Sequence, residues 1–163
     1  MMRTTIWITL LAGALGSGIA LAQQPPSPIY VGFDYTTLNA DGTNPTAYVI
    51  RGGYRFTDYF AAEAHFLTSG STSGGNKLQT GLAAFIRGDI PVGKRFSVYG
   101  LAGYGSIDFS RAGVKDTYAS PAYGTGITFA LSPMTALNLD YISYANAKGL
   151  TMCSLNAGVM YSF

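Results

Sequence analysis

The last nine residues, LNAGVMYSF, constrain this chain more than any other stretch. Leu155, Ala157, Val159, Tyr161 and Phe163 alternate with Asn156, Gly158, Met160 and Ser162, and the sequence stops on the aromatic. Side chains of a strand point alternately to opposite faces, so this period of two predicts a strand with one apolar side and one smaller, more polar side. The same alternation recurs upstream, while helical spacing of three and four is hard to find. Eight segments emerge, over 29–38, 46–56, 60–67, 78–90, 96–109, 122–131, 135–144 and 151–163. The predicted fold class is all-β, an eight-stranded antiparallel up-and-down barrel.

The connections alternate as well. Those over 39–45, 68–77, 110–121 and 145–150 read as longer and polar, and those over 57–59, 91–95 and 132–134 as tight turns. Long and short links alternating over an even number of strands is the pattern of a membrane-spanning barrel, with both termini at the tight-turn, periplasmic end. Each segment reaches or approaches the roughly 9–11 tilted residues that cross a bilayer as a strand. Composition agrees: 48% of the chain is hydrophobic and only 11% charged, low for a surface in water.

The N-terminus reads as an export signal. Arg3 precedes an apolar run over 6–15, and Ala20-Leu21-Ala22 supplies a small-residue cleavage site. A membrane anchor is the competing reading, but the run is short and broken by Gly13, Gly16 and Gly18. No later stretch reaches the roughly 18 apolar residues that a spanning helix needs. The expected organisation is a signal peptide over 1–22, a periplasmic lead-in over 23–28 and a barrel over 29–163.

Pleat parity predicts which side chains face the lumen. Tyr48, Ile50, Tyr54 and Phe56 share a face, with Arg51 and Arg55 opposite. Phe60, Ala62, Ala64 and Phe66 share another, with Glu63 and His65 opposite. Directly paired residues point the same way, which sets Phe56 against Phe60, Leu131 against Thr135 and Gly53 against Glu63. The expected lumen charge cluster is Asp34, Arg51, Arg55, Glu63, His65, Arg87, Asp89 and Asp140, with Arg51 and Arg55 on either side of the Glu63 carboxylate. Outward aromatics collect at two levels, Tyr54, Phe56, Phe60, Tyr161 and Phe163 near one end and Tyr48, Phe66, Tyr123 and Tyr141 near the other. That spacing suits two girdles around an apolar band. A soluble sandwich would instead bury its apolar face and show charge outside. Glycines blur the faces of the fifth segment, and Asp108 stays unplaced.

Several function classes fall away. A net charge of +2 without a basic cluster argues against nucleic acid. The single Cys153 has no internal partner and reads as a small, lipid-facing apolar residue. One His, one Cys and scattered carboxylates show no metal-ligand spacing, and no cofactor is expected. The Ser69–Gly75 stretch, SGSTSGG, lacks the Gly-Lys-Ser/Thr of a phosphate loop and reads as a flexible tip.

The chain resembles the OmpA-like/OmpX-type family of eight-stranded outer-membrane barrels, the porin-family or opacity-type β-barrel domain. Tyr48–Phe66 (YVIRGGYRFTDYFAAEAHF) resembles that family's second hairpin and Tyr99–Tyr104 (YGLAGY) its fifth strand. Tyr123–Tyr144 is similar to its sixth and seventh strands around a Ser-Pro turn, and Leu155–Phe163 to its closing strand. The resemblance implies a place in the outer membrane of a Gram-negative bacterium, in contact with lipid and lipopolysaccharide. It also implies biogenesis through periplasmic chaperones and the barrel-assembly machinery, read at Leu155, Ala157, Val159, Tyr161 and Phe163. No peptidoglycan-binding domain is expected to follow the barrel, and its outer loops read as short beside those of adhesive relatives.

The expected function is a non-enzymatic structural or surface-interaction role in the envelope, with no catalytic residues. The first alternative is a small passive pore, suggested by small inward residues at Gly32, Gly53, Ala61, Gly81, Ala83, Gly124 and Gly126. The second is a lipid A-modifying enzyme built on His65 and the hydroxyls of Thr68, Ser69, Ser71 and Thr72. Its spacing matches no barrel hydrolase motif.

Overall fold

The computed structural model describes residues 28–40, 44–69, 76–111, 114–147 and 150–163. The expected signal peptide and nearly all of the lead-in lie outside that range. Eight strands follow one another: β1 (Ile29–Ala40), β2 (Thr46–Arg55), β3 (Phe60–Ser69), β4 (Asn76–Pro91), β5 (Phe96–Arg111), β6 (Val114–Ala130), β7 (Thr135–Ala147) and β8 (Leu150–Ser162). Every neighbour pair is antiparallel, and β1 closes on β8 from Tyr30↔Ser162 to Ala40↔Met152. Closure leaves neither β1 nor β8 with a free edge.

Two of the three tight turns are built on hydroxyls. The Phe56 and Thr57 amides both donate to the Phe60 carbonyl, at 2.9 and 3.2 Å. Thr57 Oγ1 in turn accepts from the Tyr59 and Phe60 amides. The β6–β7 turn repeats the design, with Leu131 and Ser132 donating to the Thr135 carbonyl and Ser132 Oγ accepting from Met134 and Thr135. A short side chain that bonds its own backbone two or three residues on fixes such turns. These turns then fix register: Gly53 pairs with Glu63 and Arg51 with His65.

Parity sorts the wall into two faces. Outward lie Phe33, Tyr35, Ile50, Phe66, Leu82, Tyr104, Tyr123, Leu139 and Tyr141, each exposed on the isolated chain. Inward lie the charged residues and a dry core. In β5 the inward side chains are Tyr99, Leu101 and Ile107, so Asp108 faces outward and is exposed. There it accepts from Thr117 Oγ1 at 2.7 Å and Thr80 Oγ1 at 3.4 Å, its two cross-strand neighbours.

The expected polar loop over 110–121 is a correction. Strand β6 begins at Val114, eight residues before the predicted start at Ala122, and it pairs with β5 continuously from Phe96↔Phe129 to Arg111↔Val114. A strand that rises out of lipid into water needs no apolar face, so its polar sequence imitates a loop. A second irregularity lies between Ser143 and Ala145 of β7, where the register to β8 shifts by one residue. Such a bulge bends its strand and leaves one residue unpaired, here Tyr144.

Candidate functional site

The lumen is layered. At the end away from the tight turns, Leu38, Val49, Leu67, Ile107, Ile142 and Met152 pack into one buried apolar cluster with Tyr144 and Phe85. Beneath it sits a charged layer, and nearest the turns come Tyr30, Ala61 and Met160. Period-two alternation makes this possible, since β2, β3 and β4 each send a charged residue inward between outward apolar ones.

Two buried guanidiniums organise the charged layer. Arg51 donates from Nε to Asp34 at 2.7 Å, from Nη1 to Glu63 at 3.1 Å and from Nη2 to Asp140 at 2.9 Å. Arg87 grips Asp89 through Nε and Nη2, at 2.9 and 2.7 Å, and reaches Glu63 Oε2 from Nη1 at 3.2 Å. Its guanidinium lies over the Tyr99 ring, 3.7 Å from the centroid, a cation–π contact strengthened by desolvation. Both arginines are fully buried. A buried charge is costly unless paired and hydrogen-bonded, and all six guanidinium nitrogens have an acidic partner.

Glu63 is the hub. Beyond Arg51 and Arg87, it accepts from the Tyr30 hydroxyl at 2.7 Å and meets His65 Nε2 at 2.6 Å. A carboxylate only accepts, so Nε2 carries the hydrogen. The other ring nitrogen of His65 meets the Tyr144 hydroxyl at 2.8 Å, and the imidazole packs on Phe85 with centroids 4.8 Å apart. Asp140 accepts from Tyr99 and Asn156, and Asp34 from Asn138. Thr36 and Asn156 are joined by a further bond.

Arg55 stands apart from the geometry expected of it. It is half-buried near the tight-turn end, 3.8 Å from Asp89, with its guanidinium 4.9 Å from the Tyr30 ring centroid. The second guanidinium on Glu63 is that of Arg87, delivered from β4 through the pairing of Ala61 with Arg87. Parity gives a face and not a reach. Arg55 and Glu63 share a face, but the Tyr30 ring fills the space over Gly53 between them, where a Cβ would collide with it. Sequence reasoning also missed Tyr30, Tyr99, Tyr144, Asn138 and Asn156 as partners. For Tyr30 the alternation with Gly32 and Asp34, against outward Phe33 and Tyr35, was the available signal.

His65 is buried with both nitrogens engaged, and Thr68 lies on the opposite face of β3. Ser71 and Thr72 lie outside the described residues, and nothing is described of the Ser69 side chain. Among the described residues no group of His, Cys, Asp and Glu is arranged to hold a metal ion. The closing-strand residues Leu155, Ala157, Val159, Tyr161 and Phe163 all point outward and are exposed, with Tyr161 and Phe163 edge to face at 5.4 Å.

Comparison with known proteins agrees with this architecture. The family description "Outer membrane protein beta-barrel domain" matches residues 8–163. No curated protein matches the sequence. Among solved structures the chain is similar to Ail, the attachment invasion locus protein of Yersinia pestis, with 21% identity, TM-score 0.57, and coverage of 84% of this chain and 97% of that one. It is also similar to Neisserial surface protein A, NspA, with 22% identity, TM-score 0.58, and coverage of 84% and 98%. The N-terminal β-barrel domain of Pseudomonas aeruginosa OprF gives 15% identity, TM-score 0.63, and coverage of 86% and 98%. At these identities the likeness is one of fold.

Proposed function

Because the chain belongs to the outer-membrane protein β-barrel family, and so to the outer membrane of a Gram-negative cell, we propose that it is a non-enzymatic, non-conducting envelope protein whose role is structural or surface-interacting. The filled lumen carries this reading. An eight-stranded barrel is just wide enough for side chains to occupy its interior. Here the small inward residues are matched to large ones: Arg51 lies over Gly32, Tyr30 over Gly53, Ile107 over Gly81 and Tyr99 over Gly126. What reads in the sequence as a thinly lined channel is the set of recesses that receive these side chains. The apolar layer under Tyr144 adds a second, dry barrier to ions.

The same packing supports the absence of catalysis. A nucleophile needs a base within hydrogen-bond reach and an open place for the substrate, and the His65 imidazole is already bonded on both sides. The wall and loops are then the parts free to interact. Of the similar barrels, NspA is named a surface protein and Ail an attachment invasion locus protein, and Ail has been solved in complex with the heparin analogue sucrose octasulfate. A surface role for this chain takes its lead from those names. The reading includes removal of residues 1–22 on export, termini in the periplasm, and recognition of the closing strand during assembly.

Planar-bilayer recording on the refolded mature barrel tests the proposal. The expected result is a silent bilayer from protein whose gel migration is heat-modifiable. Reproducible discrete openings from that same protein, altered by substitution of Arg51 or Glu63, would overturn the non-conducting reading.

A further inference from the structure

The lipid-facing wall is not evenly filled. Outward residues of β6, β7 and β8 stand in cross-strand rows, Phe129↔Leu137↔Val159 near the tight turns and Ile127↔Leu139↔Ala157 one step further up. Ala157 brings only a methyl to its row. Around it stand Leu155 and Val159 along β8, Leu139 on β7 and Tyr35 on β1, all of them larger. The shortfall leaves a groove of about 450 Å³ whose outward lining is Ile127, Phe129, Leu137, Leu139, Ala157 and Val159. Phe129 and Leu137 stand two residues from Leu131 and Thr135, which close the β6–β7 turn. The groove therefore starts at the tight-turn rim and runs toward the middle of the wall.

The same rim carries positive charge. Of the three tight turns, that between β4 and β5 alone holds cations, Lys94 and Arg95, and both are exposed. The Arg95 carbonyl accepts from the Ala130 amide at 2.7 Å, and Phe96 pairs with Phe129. The two cations thus stand beside the β6 wall of the groove. Among the described residues neither has an acidic partner. Asp89, the acid nearest in sequence, points inward and is gripped by Arg87, and Asp58 belongs to the β2–β3 turn.

We infer that the groove and the Lys94–Arg95 turn together bind one anionic glycerophospholipid, with an acyl chain in the groove and the headgroup phosphate on the two cations. Lipid tails are as apolar as leucine, so burial gives the groove no preference among them. What the recess adds is contact, since a chain lying in it meets wall atoms on several sides instead of one. What the cations add is choice of headgroup, because basic side chains at a membrane surface attract anionic lipid. Their apolar stems can lie along the wall while the charges reach headgroup level. A lipid of the opposite leaflet carries its phosphate at the far rim, a full wall height from Lys94 and Arg95.

The inference rests on the outer-membrane reading, and quenching of a single tryptophan by brominated lipid separates the two. The one Trp of the sequence is Trp7, within the expected signal peptide, so the full mature chain has no other indole. Phe129→Trp keeps an aromatic wall on the groove. Tyr54→Trp, likewise two residues above its own tight turn, reports the far wall on β2. Each is refolded into vesicles of phosphatidylcholine and phosphatidylglycerol, with one lipid or the other brominated in its acyl chains. At Phe129→Trp the local share of phosphatidylglycerol is expected to exceed the bulk share about threefold or more, and at Tyr54→Trp to equal it. The excess is expected to vanish in Lys94→Gln/Arg95→Gln, which removes the charges, and in Ala157→Leu, which fills the groove. No excess at Phe129→Trp would refute the site. So would an excess that survives either substitution or appears equally at Tyr54→Trp, since general attraction would then suffice. If Ala157→Leu fails to fold, the charge substitutions and the far-wall reporter decide. A tryptophan quenched by neither brominated lipid would sink the membrane reading itself.

Discussion

At the scale of single residues, Glu63 is the position on which most depends. Four donors converge on its carboxylate, from Arg51, Arg87, Tyr30 and His65. Glu63→Ala leaves all four buried donors short of an acceptor, and breaking such a cluster costs about 3–5 kcal/mol. Asp89 serves chiefly Arg87, which keeps Glu63 and Thr128 when Asp89 is removed. Asp89→Ala is therefore expected to cost less. Urea midpoints in detergent check both, and a Glu63→Ala midpoint equal to that of the parent would remove the hub from the account. Arg55→Ala is expected to be milder than either, costing about 1 kcal/mol or less, because Arg55 is partly open to solvent and meets Asp89 only at 3.8 Å, and a long, partly solvated ion pair is worth little. An Arg55→Ala midpoint as low as that of Glu63→Ala would mean that Arg55 belongs to the buried network after all.

At the scale of elements, the closing strand carries a different prediction. β8 meets β1 and β7 along its whole length, and Phe163 completes an outward row at the tight-turn end. Deleting Phe163 removes one backbone contact, from its amide to the Ile29 carbonyl at 3.3 Å, and little burial. The folded barrel is expected to tolerate that, with refolding in detergent nearly unchanged, while the level of protein reaching the outer membrane falls and export persists. Normal membrane levels of the truncated chain would refute a signalling role for the terminal aromatic. Element by element, legibility followed the solvent on each face. Strands β2, β3 and β7 have lipid on one side and a polar lumen on the other, so their period of two is clean. Strand β5 carries Gly100, Gly103 and Gly105, which have no side chain for parity to act on, and its facing emerged only from Tyr99, Leu101 and Ile107. The upper half of β6 has water outside, so its residues resemble a loop. Lumen partners such as Tyr99 and Tyr144 were illegible for another reason: tyrosine serves equally well in a girdle and as a buried donor.

At the scale of the whole molecule, the barrel has two unlike ends, and this asymmetry predicts orientation. One end has three tight turns together with Ile29 and Phe163; the other carries the raised β5–β6 hairpin, with its exposed Asp108. A carboxylate facing hydrocarbon is costly, so the hairpin with its outward Asp108 must stand clear of the bilayer, and an even strand count keeps Ile29 and Phe163 at the opposite face. If the termini are periplasmic, Thr117 lies outside the cell and Lys94, exposed in the β4–β5 turn, lies in the periplasm. In a Cys153→Ser background, Thr117→Cys is expected to react with a bulky membrane-impermeant maleimide on intact cells. Lys94→Cys is expected to react only once the outer membrane is breached. The reverse pattern would place the hairpin in the periplasm and the three tight turns outside the cell.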